Sequence, residues 1–245
     1  MTKFGLVYIR GDFPRRDEVK TFLEERSYLP KEIKERIINT SRDDSMAERL
    51  SAYLLLYRML GFFSPFSESN EFLPSIDYSR KKPFFKAGLR SDNQYITLPV
   101  FNISHSGAIS AVIISNECDV GTDIQKMPSD PKILYGVEKR FLLKNDARIG
   151  KNCSLISEGV RYFLDLSMPR GLSEADLFER ENGLRCAISE EERILQKFSD
   201  LEAELKLFGD GFSGFSKKRD MKNTFFDGGI TTFGGEVYAV SVLTK

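Results

Sequence analysis

The element that most limits the fold is one amphipathic helix near the C-terminal end, because strands follow it directly. Ser189 with Glu192 makes a capping box, and Ile194, Phe198, Leu201, Leu205 and Phe208 recur as a single apolar stripe. Gly209 and Gly211 end the helix. The tail from Asn223 to Leu243 has a different period: short strands broken by turn signals at Asp227-Gly-Gly229 and Gly234-Gly235, read as a β-meander. Elements of both kinds are mixed along the rest of the chain, with no clear internal repeat, low-complexity tract or linker. The predicted class is therefore α+β.

Upstream, Ser41-Arg-Asp-Asp44 supplies a cap and an acidic first turn for a second helix, which Gly61 ends. Met46, Leu50, Tyr53, Leu54, Tyr57 and Leu60 recur there at helical spacing and are expected to face a core. The loop from Phe62 to Lys86 is rich in Ser, Pro and Phe and closes with the basic cluster Arg80-Lys-Lys-Pro83. Residues 108–125 read as a β-hairpin, with one strand from Ala108 to Ser115, a turn at Asn116-Glu117 and a second strand from Cys118 to Gln125. Period-two geometry puts Gly121, Asp123 and Gln125 on one face and Val120, Thr122 and Ile124 on the other. Asp123 and Gln125 are thereby predicted to share one space. Residues 126–188 keep no steady pattern and read as an insertion, although the runs from Glu138 to Leu143 and from Leu155 to Leu166 look helical.

Composition removes several classes of function. Lys plus Arg and Asp plus Glu both number 36, so no global basic field favours nucleic acid. The 3 cysteines, Cys118, Cys153 and Cys186, are odd in number and lack CxxC spacing, which argues against a disulfide framework or a zinc site and fits a reducing cytosol. The run from Phe4 to Ile9 is strand-like and lacks the apolar core of a signal peptide. Between Tyr53 and Phe63 lies the longest apolar stretch, which is too short to cross a membrane and carries Arg58. A cytoplasmic location, without nucleic-acid or membrane partners, is expected.

The only histidine, His105, lies in Phe101-Asn-Ile-Ser-His-Ser-Gly107, read as a turn whose small hydroxyl residues offer donors to an anion such as phosphate. Taken singly, Asp123 reads as a polar residue on an open sheet face. Glu202 and Lys206 read as a solvated i,i+4 pair, and Arg80-Lys-Lys82 as a solvated loop. Their complementarity points further. A diphosphate needs magnesium held by carboxylates, and its remaining charge needs Lys, Arg or His donors. Asp123 and Glu202 meet the first need; Lys206, His105 and Lys82 meet the second.

These residues, in this order, resemble the Sfp-type 4′-phosphopantetheinyl transferases. Phe-Asn-Ile-Ser-His-Ser at 101–106, Gly-Thr-Asp-Ile at 121–124 and the run from Phe198 to Phe212 are similar to that family's FN(I/L)SHS, G(I/V)DIE and WxxKEAxxKxxGxG(L/F) signatures. Lys82-Pro83 resembles the G-K-P step before the first of them, and Ala47-Glu-Arg49 sits where the family has a basic helix facing coenzyme A. The similarity is strong over about residues 99–125 and 198–212 and absent across 126–188.

The resemblance implies an enzyme that moves 4′-phosphopantetheine from coenzyme A to a serine of an apo acyl or peptidyl carrier protein, with magnesium, releasing adenosine 3′,5′-bisphosphate. It implies a fold of two similar halves, residues 1–117 and 118–245, with the site in the cleft between them and complete within a monomer. Asp123 and Glu202 are the implied magnesium ligands, with Gln125 beside them. Glu202 is also the implied base and Lys206 the group that holds the diphosphate. Ser104, His105, Lys82, Arg49 and Lys34 are the implied coenzyme A contacts. A carboxylate tied to a cation has a lowered pKa, so Glu202 is expected to be ionised at neutral pH. The chain departs from the family pattern at Gln125, where the family has glutamate, and at Leu201, where it has lysine; Leu201 falls on the apolar stripe. Phe198 stands for a tryptophan.

Overall fold

Strand β1 (Thr2–Arg10) is buried over almost its whole length, as suits a strand in mid-sheet that is covered on both faces. The structure, a computed structural model, describes residues 1–63, 74–80, 82–86, 98–142, 160–165, 173–179, 184–210 and 221–245. After β1 come α1 (Arg16–Glu24), α2 (Lys31–Ile38) and α3 (Asp43–Leu60), then the short strands β2 (Ile76–Asp77) and β3 (Phe84–Phe85). β4 (Val100–Ser106), β5 (Ile109–Ser115) and β6 (Val120–Lys126) lead to α4 (Pro131–Val137), which runs on into a π-helical turn, Glu138–Leu142. β7 (Val160–Asp165), β8 (Ser173–Glu179), α5 (Glu190–Phe208), β9 (Phe225–Phe233) and β10 (Glu236–Thr244) complete the described elements. No helix among the described residues is long and apolar enough to cross a membrane.

Two sheets organise the molecule, ordered β4-β5-β1-β7-β8 and β6-β10-β9. Alternation along the strands gives the first sheet two apolar faces. Val7, Val112 and Ile114 pack with Val19 and Phe22 of α1, Ile33 and Ile37 of α2 and the apolar side chains of α3. Phe4, Leu6, Tyr8, Ile109 and Ile113 pack instead on Val120, Ile124, Tyr238, Val240 and Val242 of the second sheet. The second sheet's far side is covered by α5 through Ile194, Leu195, Leu201, Ile230 and Ala239. The result is mixed α and β, with helices outside and two sheets within. Both sheets also share a path: β1-α3-β4-β5 packs in the order β4-β5-β1, and β6-α5-β9-β10 in the order β9-β10-β6.

Several expectations hold at element level. α5 is capped by Ser189, whose hydroxyl accepts from the Glu192 amide, and it ends at Gly209 with φ +66°. Gly211 lies outside the described residues, as do Lys81 and Cys153. α3 begins at Asp43 and ends before Gly61 with its expected core residues buried. The run from Glu138 is helical as expected, in π form.

Four expectations are corrected. Residues 101–106 are a strand rather than a turn; the turn comes at Gly107, φ +57°, and makes β4 and β5 the hairpin. β5 and β6 are strands but do not pair. β5 fills its edges with β4 and β1, while residues 116–119 carry the chain to the other sheet, where Asp119 and Lys245 exchange main-chain bonds at 2.9 Å. Residues 160–165, expected to be helical, form β7, and β7 joins β1 in parallel. Finally, Gly228 and Gly229 lie inside β9 instead of forming a turn. A Cβ there would come within 2.6 Å of Val240 O or 2.9 Å of Arg185 O, so the glycines permit close packing.

Candidate functional site

The site forms where β4 and β6, the facing edges of the two sheets, run side by side. Side chains on a strand alternate, so Asn102, Ser104 and Ser106 all lean the same way, toward β6. There they take the place of main-chain carbonyls. The amides of Thr122, Ile124 and Lys126 donate to Asn102 Oδ1, Ser104 Oγ and Ser106 Oγ at 3.0, 3.2 and 3.0 Å. A ladder of polar side chains thus joins the sheets, and the intervening Ile103 and His105 are left to face a groove.

β6 offers its Asp123 face to α5. Gly121 makes this approach possible, since a Cβ there would lie 2.3 Å from Ala203 O and 2.8 Å from Leu207 N, both main-chain atoms of α5. One turn apart on that helix, Glu202 and Lys206 then meet Asp123 and Gln125. Lys206 Nζ lies 2.5 Å from Asp123 Oδ1 and donates to Ser104 Oγ at 2.7 Å. Ser104 in turn donates to Asp123 Oδ1 at 2.9 Å. The Gln125 amide bridges the two carboxylates, donating from Nε2 to Asp123 Oδ2 at 2.9 Å and to Glu202 Oε2 at 3.2 Å.

This arrangement changes the electrostatics expected for Glu202. The cation four residues away is engaged by Asp123, which is 1% exposed and needs a partner. Burial and then the negative charge of Asp123 push the Glu202 carboxyl up to about 7, with Lys206 opposing more weakly. Glu202 is therefore poised between protonated and ionised near neutrality, where the sequence led us to expect an ionised carboxylate.

Two neighbouring cavities extend from this cluster, the first between β4 and the C-terminal end of α5 and the second over β4, α2 and α3. One, of about 490 Å³, is lined by Lys82, Asn102, Leu205, Lys206 and Gly209 among others. The next, of about 180 Å³, is lined by Arg36, Arg49, Tyr53, Tyr78 and His105 among others; Pro83 and Ile103 border both. Lys82 Nζ donates to Val120 O at 2.7 Å, and burial pulls its pKa down despite Asp119 and Cys118 nearby. His105 Nδ1 faces Glu48 Oε2 at 3.1 Å. Arg49 donates to Thr40 Oγ1 at 3.2 Å.

Of the residues picked out from sequence, Asp123, Gln125, Glu202, Lys206 and Ser104 form one bonded cluster, and Lys82, His105 and Arg49 line the adjoining groove. Lys34 is on α2 but lines neither cavity; Arg36 of the same helix does. The Arg36 guanidinium stacks 3.7 Å from the centre of the Tyr78 ring, whose hydroxyl is 2.5 Å from that of Tyr53. Sequence reasoning missed Arg36 and Tyr78. The period of Ile33 and Ile37 was the available clue to α2, whereas Tyr78 stands in a loop with no period at all.

Could the cluster accept magnesium? Among the described residues no three His, Cys, Asp or Glu side chains converge, yet two carboxylates and an amide meet here. Half a turn of the Gln125 amide presents its oxygen where its nitrogen now faces both acids. That makes three oxygen donors, the hard set magnesium prefers. Compared with known proteins, the chain matches no family model and no characterised protein significantly.

Proposed function

We propose that this chain is a magnesium-dependent 4′-phosphopantetheinyl transferase that uses coenzyme A and an apo acyl or peptidyl carrier protein, acting as a cytoplasmic monomer of two similar halves. The observation that carries this reading is the meeting of Asp123, Gln125, Glu202 and Lys206, two pairs from distant parts of the sequence, at one end of a groove lined by Lys82, Arg36, Arg49 and His105. The shared path of the two sheets supports the two-half architecture.

Asp123, Glu202 and the Gln125 side-chain oxygen hold magnesium, which when bound offsets charge on the diphosphate. Lys206 has three N–H donors and uses two on Asp123 and Ser104, which leaves one for a phosphate oxygen in the larger cavity. Lys82, His105, Arg49 and Arg36 supply cationic donors along the groove for the remaining phosphate charge. The carrier serine oxygen bonds to the β-phosphorus while that phosphorus parts from the bridging oxygen. Glu202 takes the serine proton, and adenosine 3′,5′-bisphosphate departs. Burial and Asp123 by themselves raise the Glu202 carboxyl to about 7, and magnesium held beside it would favour the ionised form that accepts the proton.

One observation favours a second reading. Gln125 already satisfies both acids, and Lys206 already neutralises Asp123. A cluster so complete suits a non-catalytic protein that binds coenzyme A or a carrier. Purified protein incubated with coenzyme A, magnesium and several apo carriers, with the carriers weighed intact, separates the two. Addition of phosphopantetheine is the expected result. Coenzyme A binding without addition to any carrier replaces the first reading with the second, and absence of binding removes both.

A further inference from the structure

We infer that Ser104 is a positioning residue that ties the inter-sheet ladder to Asp123 and Lys206, and that it does not contact the ligand. The inference rests on the transferase reading and departs from the phosphate-contact role that the resemblance implied for this serine.

The inventory of one hydroxyl carries it. A serine has one proton to give and two lone pairs to receive. Ser104 gives its proton to Asp123 Oδ1 at 2.9 Å and receives from the Ile124 amide at 3.2 Å and from Lys206 Nζ at 2.7 Å. Every bonding direction is used, and the residue is only 6% exposed. Nothing remains for a phosphate oxygen. Its strand neighbour His105 is exposed, lines the smaller cavity and has one ring nitrogen turned to Glu48, so the ligand-facing role falls to the histidine.

The three partners of Ser104 come from separate places: the β6 backbone, a β6 carboxylate and an α5 ammonium. One oxygen therefore fixes the distance between the β6 main chain, Asp123 and Lys206. Neither Asn102 nor Ser106, the other rungs of the ladder, bonds to the acidic cluster in this way.

Ser104→Ala, read by kinetics and by calorimetry with coenzyme A alone, is the test. Turnover is expected to fall on the order of 10²-fold, the usual cost of a misplaced group, with the half-saturating magnesium concentration raised. Coenzyme A affinity should stay within about twofold. Ser104→Cys, close in shape but a weak hydrogen-bonder, should show the same split more mildly and serves if the alanine variant does not fold. Affinity for coenzyme A falling tenfold or more, with turnover retained, would overturn the inference in favour of a direct contact. If the wild-type protein modifies no carrier, the transferase reading fails on its own, and amide exchange decides about Ser104. Faster exchange at Ile124 in Ser104→Ala supports the ladder role, and unchanged protection there refutes it.

Discussion

α3 and α5 occupy equivalent places in the paths of the two sheets, yet they do different work. α3 is buried on almost every side, pressed between the first sheet and the layer of α1 and α2. α5 packs on the second sheet and on α4 with its π-helical turn, bonds β10 through Gln196 and Asp200, and turns Glu202 and Lys206 toward the seam. A helix enclosed over most of its surface is chiefly core, though α3 reaches the smaller cavity through Arg49 and Tyr53, whereas one with an open flank can lend that flank to chemistry. Gly121 marks the difference at the level of one atom, because it lets α5 approach β6 closely enough for Lys206 to reach Asp123.

The largest effect expected of this contrast is at Glu202. Glu202→Gln should reduce transfer at least 10³-fold, within the range for a lost proton acceptor that is also a ligand, while thermal melting is not lowered. Near-normal turnover would mean that α5 does not carry the base. The mirror experiment lies in α3, where Leu50→Ala removes a fully buried side chain and should destabilise by about 2–5 kcal/mol in urea unfolding. Activity per folded molecule should be unchanged there; a matching loss of activity would show that the buried face of α3, and not only its groove residues Arg49 and Tyr53, shapes the site.

A pH series sharpens the comparison further. The Glu202 carboxyl is raised to about 7 in the folded protein, above its ordinary range. Between that range and about pH 7 the folded state keeps a proton that the unfolded chain has released. Stability at this site is therefore full at acid pH and declines as pH rises toward 7. Unfolding free energies of the wild type minus those of Glu202→Gln should fall across this window, and a flat difference would contradict the assigned environment. The smallest effect is expected from Gln125→Glu, which should lower the magnesium needed for half-maximal transfer by a few fold through the added ligand charge. An unchanged requirement would place Gln125 outside the metal's reach.

Legibility in the sequence followed how local the information was. The caps and stripe of α5, the core face of α3 and the Asp123 face of β6 are local patterns, and they were readable. Leu201, the departure from the family lysine, proved to be packed at 4% exposure, as its place on the stripe had suggested. Pairing is not local. β5 and β6 read as a hairpin because they are adjacent, but each has better partners elsewhere. β7 was mistaken for helix because its side-chain pattern does not record that β1 awaits it. Ser104 was recognised as a site residue by its motif, while its partners, spread over more than a hundred residues, were beyond any spacing rule. The raised pKa of Glu202 was not legible for the same reason: its burial and the competing claim of Asp123 on Lys206 exist only in three dimensions.

The parallel pairing of β1 with β7 bears on how the chain reaches this state. Gly5 must wait for Val160, so one edge of β1 stays open until the ribosome has made β6 and gone on past residue 160. Apolar strands with unpaired edges invite association with other chains. A fragment ending at residue 117 would keep α1, α2, α3 and the β4–β5 hairpin but leave that edge of β1 bare. Residues 1–117 thus cannot complete the first sheet by themselves, and the chain on either side of residue 117 is best regarded as a single cooperative folding unit.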